Sequence, residues 1–173
     1  MRRIKSIIEL SYDDLILAGI EYFSARRHKI IIPKLPPGFL NHRTDLISID
    51  NWGHLTEIVV KMSIESFKME FLKGSFFDDD ERVYYLVFIV PKGIEDECEV
   101  FMENYFRQAG EKKLPYAILP CDEVGFIKKE IDYRWSKSNN PKRRSLTLEE
   151  KYKFTYYGCV RYNDALRKRK EVF

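Results

Sequence analysis

Between Ser11 and Arg27 the apolar residues Leu15, Ala18, Gly19, Tyr22 and Phe23 return at helical spacing. Ser11 stands where a capping hydroxyl belongs, Asp13 and Asp14 follow it, and Arg26 and Arg27 close the segment, so a helix is predicted over 11–27. His28 to Pro33 is a short β-branched run and reads as a strand, and 33–42, with Pro36-Pro37-Gly38, reads as a loop. Two apolar runs come next, Asp45 to Asp50 and Leu55 to Met62, separated by Asn51-Trp52-Gly53-His54; turn residues between β-prone segments predict a hairpin. Ser63 to Leu72 has Ile64, Phe67 and Phe71 at helical spacing behind a serine cap, and 74–81 is an acidic loop.

Val83 to Pro91 is a nearly continuous apolar run and reads as a buried strand. Asp96 to Gly110 reads as a helix, and Tyr116 to Leu119 and Val124 to Lys128 as short strands around Pro120-Cys121-Asp122. Residues 136–145 carry Asn139-Asn140-Pro141 and a run of base, the pattern of a mobile connector. Thr147 and Glu150 form a capping box for a last helix, on which Tyr152, Tyr156, Val160 and Leu166 suit a stripe docked on the domain. Helices and strands that alternate in this way predict an α/β domain with a mixed sheet.

Composition narrows the picture. With 173 residues and 45% hydrophobic content the chain can bury one real core, and its aromatic content of 14% argues against disorder. The net charge of +3 selects no partner class, but base clusters in the C-terminal third. Cys98, Cys121 and Cys159 are odd in number and lack CxxC spacing, which argues against a disulfide framework or a zinc site and fits a reducing cytoplasm; Glu9, Asp13 and Asp14 come before any long apolar run, so a soluble protein without a membrane span is expected. There is no glycine-rich phosphate loop and no Gly-x-Ser-x-Gly. Asp78-Asp79-Asp80-Glu81 lacks the ligand spacing of an EF-hand and reads as a solvated loop, as do the loop histidines His42 and His54.

The stretch that carries chemistry runs from Asp45 to Ser63. An acid opens one strand of a hairpin and a lysine nears the end of the next. Phosphodiester hydrolysis uses such equipment: carboxylates hold a divalent cation that activates water, and a lysine steadies the developing charge. Glu57, Val59 and Lys61 share one strand face, with Glu57 and Lys61 roughly 13 Å apart along the backbone.

The run TDLISIDNWGHLTEIVVKMSIESFKMEF resembles the core of PD-(D/E)XK nuclease-like proteins, particularly the small phage-associated and MmcB-like DNA-repair branches. Those read as Asp, apolar strand, short turn, Glu-x-Glu-x-Lys, Ser and then a helix. The resemblance takes in IIIPKL before the core, and VYYLVFIVP and SLTLEEKYKFTYYGCVRYNDALRKRK after it. It implies a restriction-endonuclease-like mixed sheet flanked by helices over 1–135, with a basic connector and C-terminal helix over 136–173 docked on the same domain.

It further implies that Asp45 is the first metal-binding acid, Lys61 the motif lysine and the Val60 carbonyl a further ligand. Val59 departs from the pattern: it fills the position of the second acid, leaving Glu57, one strand repeat away, to take its part. Glu21 and Glu65 are auxiliary acids that helices of this superfamily supply to some sites. Two forms follow. In the active one, Asp45 and Glu57 hold Mg2+ or Mn2+ for endodeoxyribonuclease chemistry, and Lys142, Arg143, Arg144, Arg161, Arg167 and Lys168 gather the DNA backbone. In the other, the nuclease fold binds DNA without cutting it. The rival class is a non-catalytic protein-interaction protein that reuses the fold in a phage or mobile-element setting.

Overall fold

The computed structural model describes residues 10–35, 39–40, 43–72, 80–109, 115–131 and 143–170, with side chains left out at 108–109 and 161–170. Helix α1 (Tyr12–Ala25) starts from a complete capping box, in which the Ser11 hydroxyl accepts the Asp14 N–H and the Asp14 carboxylate accepts the Ser11 N–H at 2.8 Å. Strands β1 (Ile30–Leu35), β2 (Thr44–Ile49) and β3 (Leu55–Val60) follow, then α2 (Ile64–Leu72), β4 (Val83–Pro91), α3 (Glu95–Ala109), β5 (Tyr116–Cys121) and α4 (Leu148–Lys170).

The strands form one open sheet in the order β1-β2-β3-β4-β5. β1, β2 and β3 pair antiparallel, with Ile32 opposite Ile47 and Leu46 opposite Ile58, because the link from β2 to β3 is short enough to be a hairpin turn. β3, β4 and β5 pair parallel, with Val59 beside Phe88 and Phe88 beside Ile118. Parallel neighbours need crossovers, and α2 and α3 supply them. Both faces of the sheet are covered, so all six residues of β3, Thr56 and Glu57 included, are buried instead of alternating with exposed ones.

On one face Val59, Phe88 and Ile118 pack with Phe67 and Phe71 of α2, Met102 and Phe106 of α3, and Phe154 of α4. On the other, Leu46, Ile58, Val87 and Ile89 pack with Leu15, Ala18 and Tyr22 of α1. Gly19 sets how closely α1 lies: a Cβ there would stand 2.7 Å from Ile89 Cδ1 and 2.9 Å from Leu46 Cδ2. The fold class is therefore α/β, a mixed sheet flanked by helices. No helix among the described residues is long and apolar enough to cross a membrane.

Three local expectations change. β1 runs through Pro33 to Leu35, because on an edge strand the missing proline N–H leaves no ladder bond unmade. The strand expected at 124–128 is instead a turn with a single bridge between Cys121 and Ile127. There the Asp122 carboxylate accepts the N–H groups of Val124 and Phe126 at 3.2 and 2.9 Å, so those donors are lost to a ladder. Finally, Tyr152, Tyr156 and Val160 do not dock α4: all three are exposed, and the helix packs through Phe154, Tyr157 and Gly158, the last against Ile32. Leu166 has its side chain outside the described residues.

Candidate functional site

Asp45 sits where β2 parts from β3, just beyond the last registered pair, Leu46 with Ile58. Its Oδ2 accepts the Val60 N–H at 2.8 Å, so the side chain completes the hydrogen bonding that the departing strand leaves open. Its Oδ1 accepts the Tyr12 hydroxyl at 2.6 Å, which ties the first residue of α1 to the same point. Burial first, then the hydrogen bond and charge of Asp45, hold the Tyr12 phenol well above its ordinary pKa. Lys34 lies over the Tyr12 ring at 5.6 Å and pairs with Asp13 at 3.1 Å on the exposed side of this cluster.

Lys61 follows directly. Its N–H donates to the Ile89 carbonyl at 3.0 Å, extending the β3–β4 line, and its ammonium pairs with Glu70 of α2, both side chains being mostly buried. Ser63 caps α2, its hydroxyl accepting the Ser66 N–H at 3.2 Å. Glu65 is exposed on the first turn, where its own backbone N–H and the Ser63 hydroxyl lower its pKa. Glu21 is exposed on α1, nine residues from Tyr12 and thus about 13 Å further along the helix axis.

Glu57 lies opposite Ile47 and beside Leu86 and is 2% exposed. By alternation it shares the face of Leu55 and Val59, beneath α2, α3 and α4; Asp45, two residues before Ile47, alternates onto that same face but turns its oxygens to the Tyr12 hydroxyl and the Val60 N–H at the strand end. Val59 is itself 3% exposed within that core.

The structure thus brings Asp45 to Tyr12 and Val60, and Lys61 to Glu70, and encloses Glu57 in the core. No group of three His, Cys, Asp or Glu side chains among the described residues is arranged to hold a metal ion. Hard divalent cations need an oxygen-rich shell. With Glu57 enclosed in the core and a valine at position 59, Asp45 is left without a second carboxylate beside it, and this set does not fit a resident Mg2+ or Mn2+.

The basic residues separate into two groups. Arg143 donates to the Val83 carbonyl, and Arg144 pairs with Glu81 and Glu150 at 2.7 Å each, so both fasten the segment before α4 to the start of β4. Residues 143–145 of the expected connector are held in this way. Lys142 lies outside the described residues, and Arg161, Arg167 and Lys168 stand on α4, their side chains not described.

Arg144 draws the Glu150 pKa down to about 2, against burial and with help from Thr147, whose N–H and hydroxyl complete the capping box. A carboxyl depressed in the folded state adds stability above its unfolded pKa and loses it as pH falls through the folded value. Arg144→Met should therefore flatten the loss of stability between about pH 4 and pH 2. Urea unfolding at stepped pH, compared with the unaltered protein, reads this directly; identical acid slopes would contradict it.

No family model matches the chain, and no curated protein matches it by sequence. A solved structure, a protein of unknown function from Silicibacter pomeroyi, is similar over 94% of this chain and 95% of its own, with TM-score 0.54 and 13% identity. The likeness is one of fold. It spans the sheet and its helices, and it says nothing about chemistry at Asp45 or Lys61.

Two residues of the cluster were not among the expected site residues. Tyr12 lies 33 positions before Asp45, and in sequence it shows only as part of a helix start. Glu70 lies nine positions after Lys61 on the far turn of α2, and no local pattern links the two.

Proposed function

We propose that this chain is a DNA-binding protein of the PD-(D/E)XK nuclease type whose cleavage centre is degenerate. The observation that carries the reading is the place of Asp45. It opens β2 and meets β3 at Val60, one residue before Lys61, and the Ser63-capped α2 follows, in the order that the resemblance requires. The same observation argues for binding without cutting, because both Asp45 oxygens already accept donors, Lys61 is paired with Glu70 and Val59 brings no oxygen. In open α/β sheets, ligands bind outside the carboxyl ends of the parallel strands. Here that end carries Lys61 after β3 and Lys92 after β4. The base on α4, including Arg161, Arg167 and Lys168, adds phosphate contacts that need no sequence readout.

Fluorescence anisotropy with a labelled duplex tests the reading. Affinity should fall steeply with added salt, about tenfold or more for a few-fold rise in concentration if several phosphates are neutralised. Supercoiled plasmid incubated with Mg2+ or Mn2+ should stay intact. Absence of binding at low salt would sink the DNA reading and leave the fold to protein contacts. Metal-dependent nicking that is lost in Asp45→Ala and Lys61→Ala would restore the enzyme.

A further inference from the structure

Tyr152 and Tyr156 sit four residues apart on α4 and remain 68% and 62% exposed, although the helix docks through another face. Their rings are nearly parallel, 21° apart, with centroids separated by 6.4 Å. An i, i+4 aromatic pair gives a helix modest support by itself, so the pair alone demands no further explanation. The space beside it does. A cavity of about 410 Å³ opens there, walled by the two tyrosines, with Phe39 and the buried Phe154 completing its apolar lining and Arg82 and Lys153 at its polar edge.

The charges around this cavity are already matched. Arg82 is held by Asp80 at 2.5 and 2.8 Å, Lys153 by Glu149 at 2.8 Å, and Glu150, also in the wall, by Arg144 at 2.7 Å. Such a lining gives little selection for an anion or a cation. What remains is aromatic surface in a volume suited to a small molecule. The two rings lie nearly parallel in the cavity wall, so a flat ring that enters can reach aromatic surface on both at van der Waals distance.

We propose that this cavity takes one uncharged nucleobase of a single-stranded DNA segment, stacked on Tyr152 and Tyr156. The inference rests on the DNA-binding reading. It adds a single-strand contact, in which one base goes to the tyrosines. Stacking of this kind tolerates any base, because every base has a π-face.

A single-stranded oligonucleotide carrying one 2-aminopurine, and a duplex of the same sequence, test it on the full chain. The wild type should bind the single strand with quenching of the 2-aminopurine. Tyr152→Leu/Tyr156→Leu should lose that quenching and about tenfold or more of single-strand affinity, with duplex affinity within about twofold. Both positions are exposed, and circular dichroism checks that the helix is kept. Single-strand affinity and quenching equal to wild type in the double variant would overturn the cavity assignment while leaving DNA binding intact. Failure of the wild type to bind either DNA would overturn both.

Discussion

Val59→Glu is expected to cost several kcal/mol of stability, enough to unfold much of the protein, instead of completing a nuclease centre. In sequence the substitution supplies the acid that the nuclease resemblance expects at this position. In space Val59 is 3% exposed, beside Phe88 in the sheet and in one core with Phe67 and Phe71. A carboxylate there must either ionise in an apolar surround or take up a proton, and an uncompensated polar group costs roughly 2–7 kcal/mol. Domains of this kind are stable by only about 5–15 kcal/mol.

The pH dependence separates this cause from simple overpacking. Desolvation raises the pKa of the introduced carboxyl in the folded state, so the deficit is smallest below the unfolded value of about 4.3 and grows as pH rises above it. Urea titrations of Val59→Glu and Val59→Met at several pH values make the comparison, and only the first should show the slope. A Val59→Glu protein as stable as wild type that nicks plasmid with Mg2+ would show instead that position 59 faces an open cleft.

Much of the architecture was legible in sequence, because strong local signals agreed with the tertiary answer. Val83–Pro91 is one apolar run long enough for a buried strand, and it folds as one. The turn at 51–54 separates two β-prone runs that pair as a hairpin, and Thr147 with Glu150 starts α4 as its spacing predicts. What failed was the choice between equivalent patterns. α4 carries two apolar sets at helical spacing, Tyr152 with Tyr156, and Phe154 with Tyr157, and periodicity cannot rank them. Packing ranks them, because Gly158 next to the second set lets the helix approach Ile32, where a Cβ would stand 3.2 Å from the Ile32 side chain. Likewise Val124-Gly125-Phe126 is β-prone by composition, yet one carboxylate two residues upstream takes its donors. Charges behaved similarly. Arg143 and Arg144 look like a phosphate-binding run, and their partners, Val83 and Glu81, lie about sixty residues earlier, out of reach of local reading.

Asp45→Ala should lower stability by about 2–4 kcal/mol, more than removal of an ordinary surface acid. Two bonds disappear together, from the Tyr12 hydroxyl and from the Val60 N–H, and both donors sit in a part-buried setting where water replaces the acceptor poorly. Because the bonds come from different elements, α1 and the end of β3, the loss loosens the junction as well as the site. Tyr12→Phe removes one of the two and should cost about 1 kcal/mol. Combined with Asp45→Ala it should add almost nothing, since the hydroxyl has by then lost its acceptor.

Alkaline unfolding provides a second reading of the same bond. With the Tyr12 phenol raised in the folded state, the unfolded chain ionises first, near pH 10, and stability falls above that pH; Tyr12→Phe should lessen the fall. An Asp45→Ala protein within about 0.5 kcal/mol of wild type would mean that the carboxylate is not a structural clamp. An acid kept at the end of an interior strand without that duty would have to be explained by a ligand. A stability loss of the expected size, with DNA affinity unchanged, would instead show that this position serves the fold.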